Sequence, residues 1–258
     1  MSFDMSARSR SLFLSVFGTF FVKGLALIIS LLTMPAYFRF FEDQSILGVW
    51  LTIVSVSSWV LTFDLGIGNG LRNKLVEAIS ADDERRCSRL ISSSYFATGL
   101  IAVAVAAVGV PLCSLIPWNV LLNIDKTAVS ENCLTSAMQI MLIGLCTQLL
   151  FKTVNSVLYA MQRPATNNAI ALVTSILILI WVLIAPSFGP EENILMISGV
   201  YSVMSNLPLV VCSVVVFCGP MRNGRPRICN ISLKTAREVT GIGISFLWAQ
   251  IMFMLLTG

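Results

Sequence analysis

Two lysines carry the strongest chemical signal in the chain, because each stands inside a long apolar run. Lys23 lies between Ser11 and Met34, and Lys152 between Cys133 and Met161. On insertion scales an ammonium group at the bilayer centre costs about 2.5–3.5 kcal/mol, so a lysine kept there calls for a wet cavity or a polar partner. At 1.5 Å per residue Lys23 is roughly 15 Å from either end of its run, farther than a lysine stem reaches. Projected at about 100° per residue, Ser15, Thr19, Lys23, Ser30 and Thr33 share one sector of a helix. Gln148, Lys152, Asn155, Ser156 and Tyr159 form a second stripe, continued by Arg163. On a third run Ser55, Ser58 and Thr62 share a face, with Asp64 at its end, able to hold a cation or pair with a basic residue. Stripes of this kind either line a cavity or join helices. With both intramembrane charges positive, a cavity so lined attracts an anion. The expected cavity residues are Lys23, Lys152, Arg163, Thr19, Ser30, Gln148 and Asn155, and Asp64 is the candidate ion or salt-bridge residue.

What the residues leave out narrows the chemistry further. The sequence has no histidine, which removes imidazole triads, shuttles and histidine metal sites. Its seven cysteines are scattered without a CxxC pair and read as neither a disulfide framework nor a metal site. No nucleophile–base set and no carboxylate pair at catalytic spacing is found, so no enzyme activity, metal or cofactor is expected. Gly66, Gly68 and Gly70 lack the preceding strand and GxGxxG spacing of a phosphate loop. They read instead as a sharp turn and a close helix approach. The net charge of +4 is read through its distribution along the chain, and no nucleic-acid partner is expected.

The elements that must position these residues are membrane helices. Of 258 residues, 56% are hydrophobic and 12% charged, against about 45–50% and 25% in soluble domains. A soluble enzyme or binding module is excluded. Six stretches are long enough to span: 11–34, 45–67, 90–117, 133–161, 165–188 and 194–218. A seventh begins near Val239 and runs to Gly258. The first is too long for a signal-peptide core, is interrupted by Lys23 and lacks a cleavage site, so it reads as a retained span.

Basic residues cluster on alternate sides. Arg8 and Arg10, the segment 68–89, Arg163 and the segment 219–238 fall on one side; Arg39 and Lys126 fall on the other. By the positive-inside rule the N-terminus and both basic loops, 68–89 and 219–238, are cytoplasmic. The expected organisation is an all-α polytopic bundle over 1–238, with 239–258 opening a seventh span whose second bundle is cut short. Leu71, Leu75 and Ile79 recur at helical spacing with Arg72, Lys74 and Glu77 off that line, predicting an amphipathic helix on the inner leaflet or against helix ends. Asp82, Asp83 and Glu84 suit the N-terminus of the third span. The sequon at Asn230 lies in a cytoplasmic loop, where glycosylation is not expected.

The run Gly48-Val49-Trp50, a serine-rich span, then Asp64-Leu65-Gly66-Ile67-Gly68-Asn69-Gly70-Leu71-Arg72-Asn73-Lys74 resembles the early signature of bacterial polysaccharide flippases. These are the O-antigen (Wzx-type) members of the multidrug/oligosaccharidyl-lipid/polysaccharide exporter superfamily. The run from Gly241 to Gln250 looks like their seventh span, and Arg225-Pro226-Arg227 fits the basic loop before it. The resemblance implies two helical bundles facing a central cavity, of which this chain looks like the N-terminal half. It also implies transfer of lipid diphosphate-linked oligosaccharides across the bacterial inner membrane by alternating access. The implied partners are that lipid-linked substrate, membrane lipids and other polysaccharide-assembly membrane proteins. Alternative readings are a multidrug or cation exporter of the same superfamily, a membrane polysaccharide polymerase or ligase, and a non-transporting remnant. The exporter would want more acidic residues than Asp64. The polymerase or ligase would have to use Glu42, Asp43, Asp125, Glu131, Glu191 or Glu192 on short outward loops.

Overall fold

In the computed structural model the described residues form nine helices up to Cys218, one short 3-10 turn and a further helical stretch at 233–241, with no strand among them. It describes residues 2–62, 66–124, 129–241 and 252, with side chains from residue 18 onward apart from Thr19 and Thr62. Six segments are long and apolar enough to cross a membrane. In order the helices are α1 (Ser2–Phe41), α2 (Gln44–Thr62), α3 (Ile67–Ser80), α4 (Glu84–Cys113), α5 (Trp118–Leu121), α6 (Glu131–Phe151), α7 (Thr153–Ala160), α8 (Pro164–Ile184) and α9 (Pro190–Cys218). The 3-10 turn is Ile228–Asn230, and residues 233–241 are helical again.

The bundle is an all-α membrane architecture, as its composition requires. Connections alternate between two ends. One carries the α1–α2 turn and is here called the hairpin end; the other carries α3 and the 219–232 segment and is called the basic end. Each end has its own apolar core. At the hairpin end Trp50 is fully buried, with ring contacts to Tyr37, Phe41 and Tyr201, while Phe40 meets Trp181 edge-on. At the basic end Leu71, Leu75 and Ala78 of α3 bury against Leu90, Ile91, Val154, Val157 and Leu158. The amphipathic helix expected at 71–80 therefore lies against helix ends, with its polar face outward.

Several boundaries differ from the hydropathy reading. α1 continues through Pro35 to Phe41 instead of stopping at Met34, because Ala36, Tyr37, Phe40 and Phe41 all bury in the hairpin-end core. Proline removes one backbone hydrogen bond from a helix, and burial of the next two turns outweighs that loss. α4 starts at Glu84, six residues before the apolar run, since Asp83 caps it by accepting from the Arg86 N–H at 2.9 Å. α9 starts at Pro190, where Glu192 accepts from the Gly189 N–H at 2.9 Å. The fourth span is two helices, α6 and α7, meeting at Lys152.

One glycine sets the entry into α3. Gly66 has φ 68°, a left-handed conformation that starts α3. Gly70 then faces the Val239 carbonyl so closely that a Cβ there would collide with it. The two roles expected of this glycine run, turn and close approach, both have a structural counterpart here.

Candidate functional site

Lys23 is exposed on α1, and among the described residues it has no hydrogen-bond or ion-pair partner. α1 packs along α8 through the face that includes Ile29, Ala36 and Phe40. By helical projection Lys23 and Ser30 sit to one side of that face, about 120° and 100° from its centre. Ser30 is likewise exposed, while Thr33 returns its hydroxyl to the Ile29 carbonyl at 2.7 Å. Thr19 lies on the same helix with its side chain outside the described atoms.

α1 extends past both ends of the hydropathy run, from Ser2 to Phe41, and Lys23 lies near the middle of its length. At 1.5 Å per residue Lys23 lies about 27 Å from Phe41, and Leu61 about 26 Å from Gln44 across the turn. The lysine is thus level with the far end of α2. α9, with 29 residues, is about 44 Å long and runs on beyond that level. Lys23 therefore stands about 5 Å past the midpoint of α9 as counted from the hairpin end.

Lys152 meets the same level from the other side. Its Nζ donates to the Leu61 carbonyl at 2.6 Å, so the ammonium caps the C-terminus of α2. Cations are stabilised there by the unpaired carbonyls and the helix dipole. The break between α6 and α7 falls at this residue, and the bond ties it to α2.

The rest of the stripe divides. Gln148 is half-buried and lines a small gap of about 10 Å³ with Ser57, Tyr201, Ser202 and Ser205, between α2, α6 and α9. Asn155 is half-buried with its Oδ1 buried and lacking a partner among the described residues. Ser156 turns into the bundle and is buried. Tyr159 holds a polar cluster: its hydroxyl accepts from Asn167 Nδ2 at 2.8 Å, and the Arg72 guanidinium lies over its ring at 5.0 Å. Arg163 is exposed at the start of α8. On α2, Ser55 and Ser58 are exposed, and Ser58 donates to the Val54 carbonyl at 2.9 Å. Asp64 falls outside the described residues, as does nearly all of the expected seventh span.

The carboxylates at the hairpin end act on backbone. Asp43 accepts from the Ser45 N–H at 2.7 Å, and Glu191 from the Ser130 N–H at 2.7 Å. Buried Asn193 donates to the Phe40 carbonyl and to Ser187 and accepts from the Phe188 N–H. These groups fasten helix ends together.

Two polar assemblies escaped the sequence reading. On α4, Ser88 donates to the Arg225 carbonyl and accepts from Asn230, Ser92 accepts from the Arg227 N–H, and Ser93 accepts from the Ser232 N–H. This ladder fixes the 225–232 segment to the helix. The signal was available in the run Ser92-Ser93-Ser94 at the start of an apolar span. On the α6–α9 seam, Asn206 Nδ2 donates to the Gly144 and Ser202 carbonyls at 3.0 and 2.7 Å. There a lone Gly144 opposite a polar α9 was the available clue.

Searches of protein-family models, of curated proteins and of solved structures find no match to this chain. What the fold defines is a multi-pass membrane bundle with an exposed cationic face near its basic end.

Proposed function

We propose that this bundle forms one side of a transport pathway for a lipid carrying a diphosphate-linked oligosaccharide. The observation that carries the reading is Lys23: an exposed ammonium within an apolar helix, with no carboxylate partner among the described residues. Lys152 and Arg72 add cations toward the same end, each held in place by a neighbour. A diphosphate carries the charge such a cluster attracts. Exposed Ser30, Ser55 and Ser58 offer hydroxyls at which sugar groups exchange water for protein. The resemblance in the segment 48–74 supplies the substrate class. On this reading the basic end faces the cytoplasm of a bacterial inner membrane, and Lys23 and Arg72 meet the substrate's phosphates as it enters.

A polymerase or ligase fits less well, because Asp43, Glu191 and Glu192 are engaged in capping backbone N–H groups. An exporter of cations fits less well because the exposed intramembrane charge is positive.

The test is genetic. In the source cells, deletion of the gene should stop surface polysaccharide and leave its lipid-linked precursor in the membrane. Lys23→Ala should reproduce that loss at unchanged protein level, and Lys23→Arg should retain most of the function. Normal polysaccharide in the deletion strain, or in Lys23→Ala, defeats the proposal.

A further inference from the structure

We infer that the basic end carries a docking site for anionic phospholipid, built by α4 and the 225–231 segment. The site is independent of the transport reading and uses none of its residues. Three observations meet there.

The first is geometry. Ser92, Tyr95 and Phe96 of α4, with Pro226, Arg227, Ile228 and Ile231, enclose a groove of about 260 Å³. The serine ladder fixes the backbone of that segment at Arg225, Arg227 and Ser232, so the groove is preorganised.

The second is charge. Of the carboxylates of this end, Glu77 pairs with Lys74 and Arg86, Glu238 pairs with Lys74, Asp83 caps α4 and Glu84 accepts from Asn223, while Asp82 is exposed in the α3–α4 turn. Arg89, Arg225 and Arg227 are exposed and, among the described residues, have no ion-pair partner. Arg89 lies one turn from Ser92 and two from Phe96 on the same face of α4. It therefore stands beside the groove that Arg227 lines.

The third is apolar exposure in a segment outside the spans. Ile228 is 90% exposed and Leu233 73% exposed, within a few residues of Arg225, Arg227, Lys234 and Arg237. In water such side chains are a liability. At a bilayer surface the pairing of apolar anchors with cations is what binds an anionic leaflet. In this arrangement the phosphate lies between Arg89 and Arg227, and acyl carbons run past Phe96 and Ile228.

The deciding experiment uses the purified full chain. Native mass spectrometry in an equimolar mixture of phosphatidylglycerol and phosphatidylcholine should show at least about threefold preference for the anionic lipid. Arg225→Gln/Arg227→Gln should bring that preference close to parity, whereas Arg222→Gln/Arg237→Gln, the same charge change outside the groove, should keep it. Equal loss in both variants means diffuse surface attraction and overturns the site, as does no loss in the first. A second measurement does not depend on the arginine variants folding. In Ile228→Trp, the fluorescence introduced at that position, read against the unsubstituted chain, should be quenched by bromine on the first acyl carbons in phosphatidylglycerol vesicles. Absence of quenching there assigns the surface to water or to a soluble partner and defeats the lipid proposal.

Discussion

At the scale of single residues, Lys152 shows how one charge can answer a local need before any ligand is considered. α2 ends at Thr62, its last carbonyls lack intrahelical donors, and the Lys152 ammonium takes the Leu61 carbonyl at 2.6 Å. That a lysine stood in an apolar run was legible in the sequence. That its partner was a carbonyl some ninety residues earlier was not, because periodicity within one helix carries no information about which neighbour meets it. Gly144 teaches the same lesson from the packing side. A Cβ on Gly144 would sit 3.1 Å from the Ser202 Cα, with the serine side chain closer still. Small residues of this kind let membrane helices approach, and here the approach also brings Asn206 within reach of the Gly144 carbonyl. Gly144→Ala should therefore push α6 from α9 and destabilise the bundle by about 1–3 kcal/mol, read as a lower melting temperature in detergent. Ser202→Gly removes the obstructing side chain, so the double variant should recover part of the loss. Additive losses in that cycle would show that the two residues do not touch.

At the scale of elements, the apolar runs announced six spans and the 71–80 helix, but not where the helices stop. α1 overran its expected end because Tyr37, Phe40 and Phe41 are core residues, a fact set by aromatic neighbours on α2, α8 and α9. With that overrun Lys23 lies about 27 Å from the hairpin end, near the middle of α1. The 219–232 segment is the opposite case, since its composition of Gly, Pro, Arg and Asn reads as a loose connection. The α4 serines hold it through three hydroxyls, and a hydroxyl shared with both Arg225 and Asn230 is not a signal any local pattern contains. Ser88→Ala/Ser92→Ala/Ser93→Ala removes these bonds while leaving helix propensity slightly improved. Trypsin should then cut after Arg227 markedly faster, on the order of tenfold, while α4 stays intact by circular dichroism. An unchanged cleavage rate would mean that the segment is held by something other than the ladder.

At the scale of the whole molecule, the distribution of charge and thiols makes the orientation testable with the native chain. Arg72, Lys74, Arg85, Arg86, Arg89, Arg163, Arg222, Arg225, Arg227, Lys234 and Arg237 stand at the basic end, and Arg39 at the hairpin end. The orientation proposed above, by the positive-inside rule, has the richer end facing the cytoplasm. The exposed cysteines, Cys218 and Cys229, lie at that same end, whereas Cys87, Cys113, Cys133 and Cys146 are buried and Cys212 is partly buried within α9. A membrane-impermeant maleimide applied to intact spheroplasts should therefore leave the native chain unlabelled, and opening the membrane should allow modification at Cys229. Asn132→Cys introduces a thiol at the hairpin end, on an exposed position in the first turn of α6. It should react from outside before the membrane is opened. The reverse pattern would turn the bundle over. The cations at Lys23 and Arg72 would then sit at the exit of the proposed path instead of its entrance, and capture of a substrate made in the cytoplasm would have no residues to perform it.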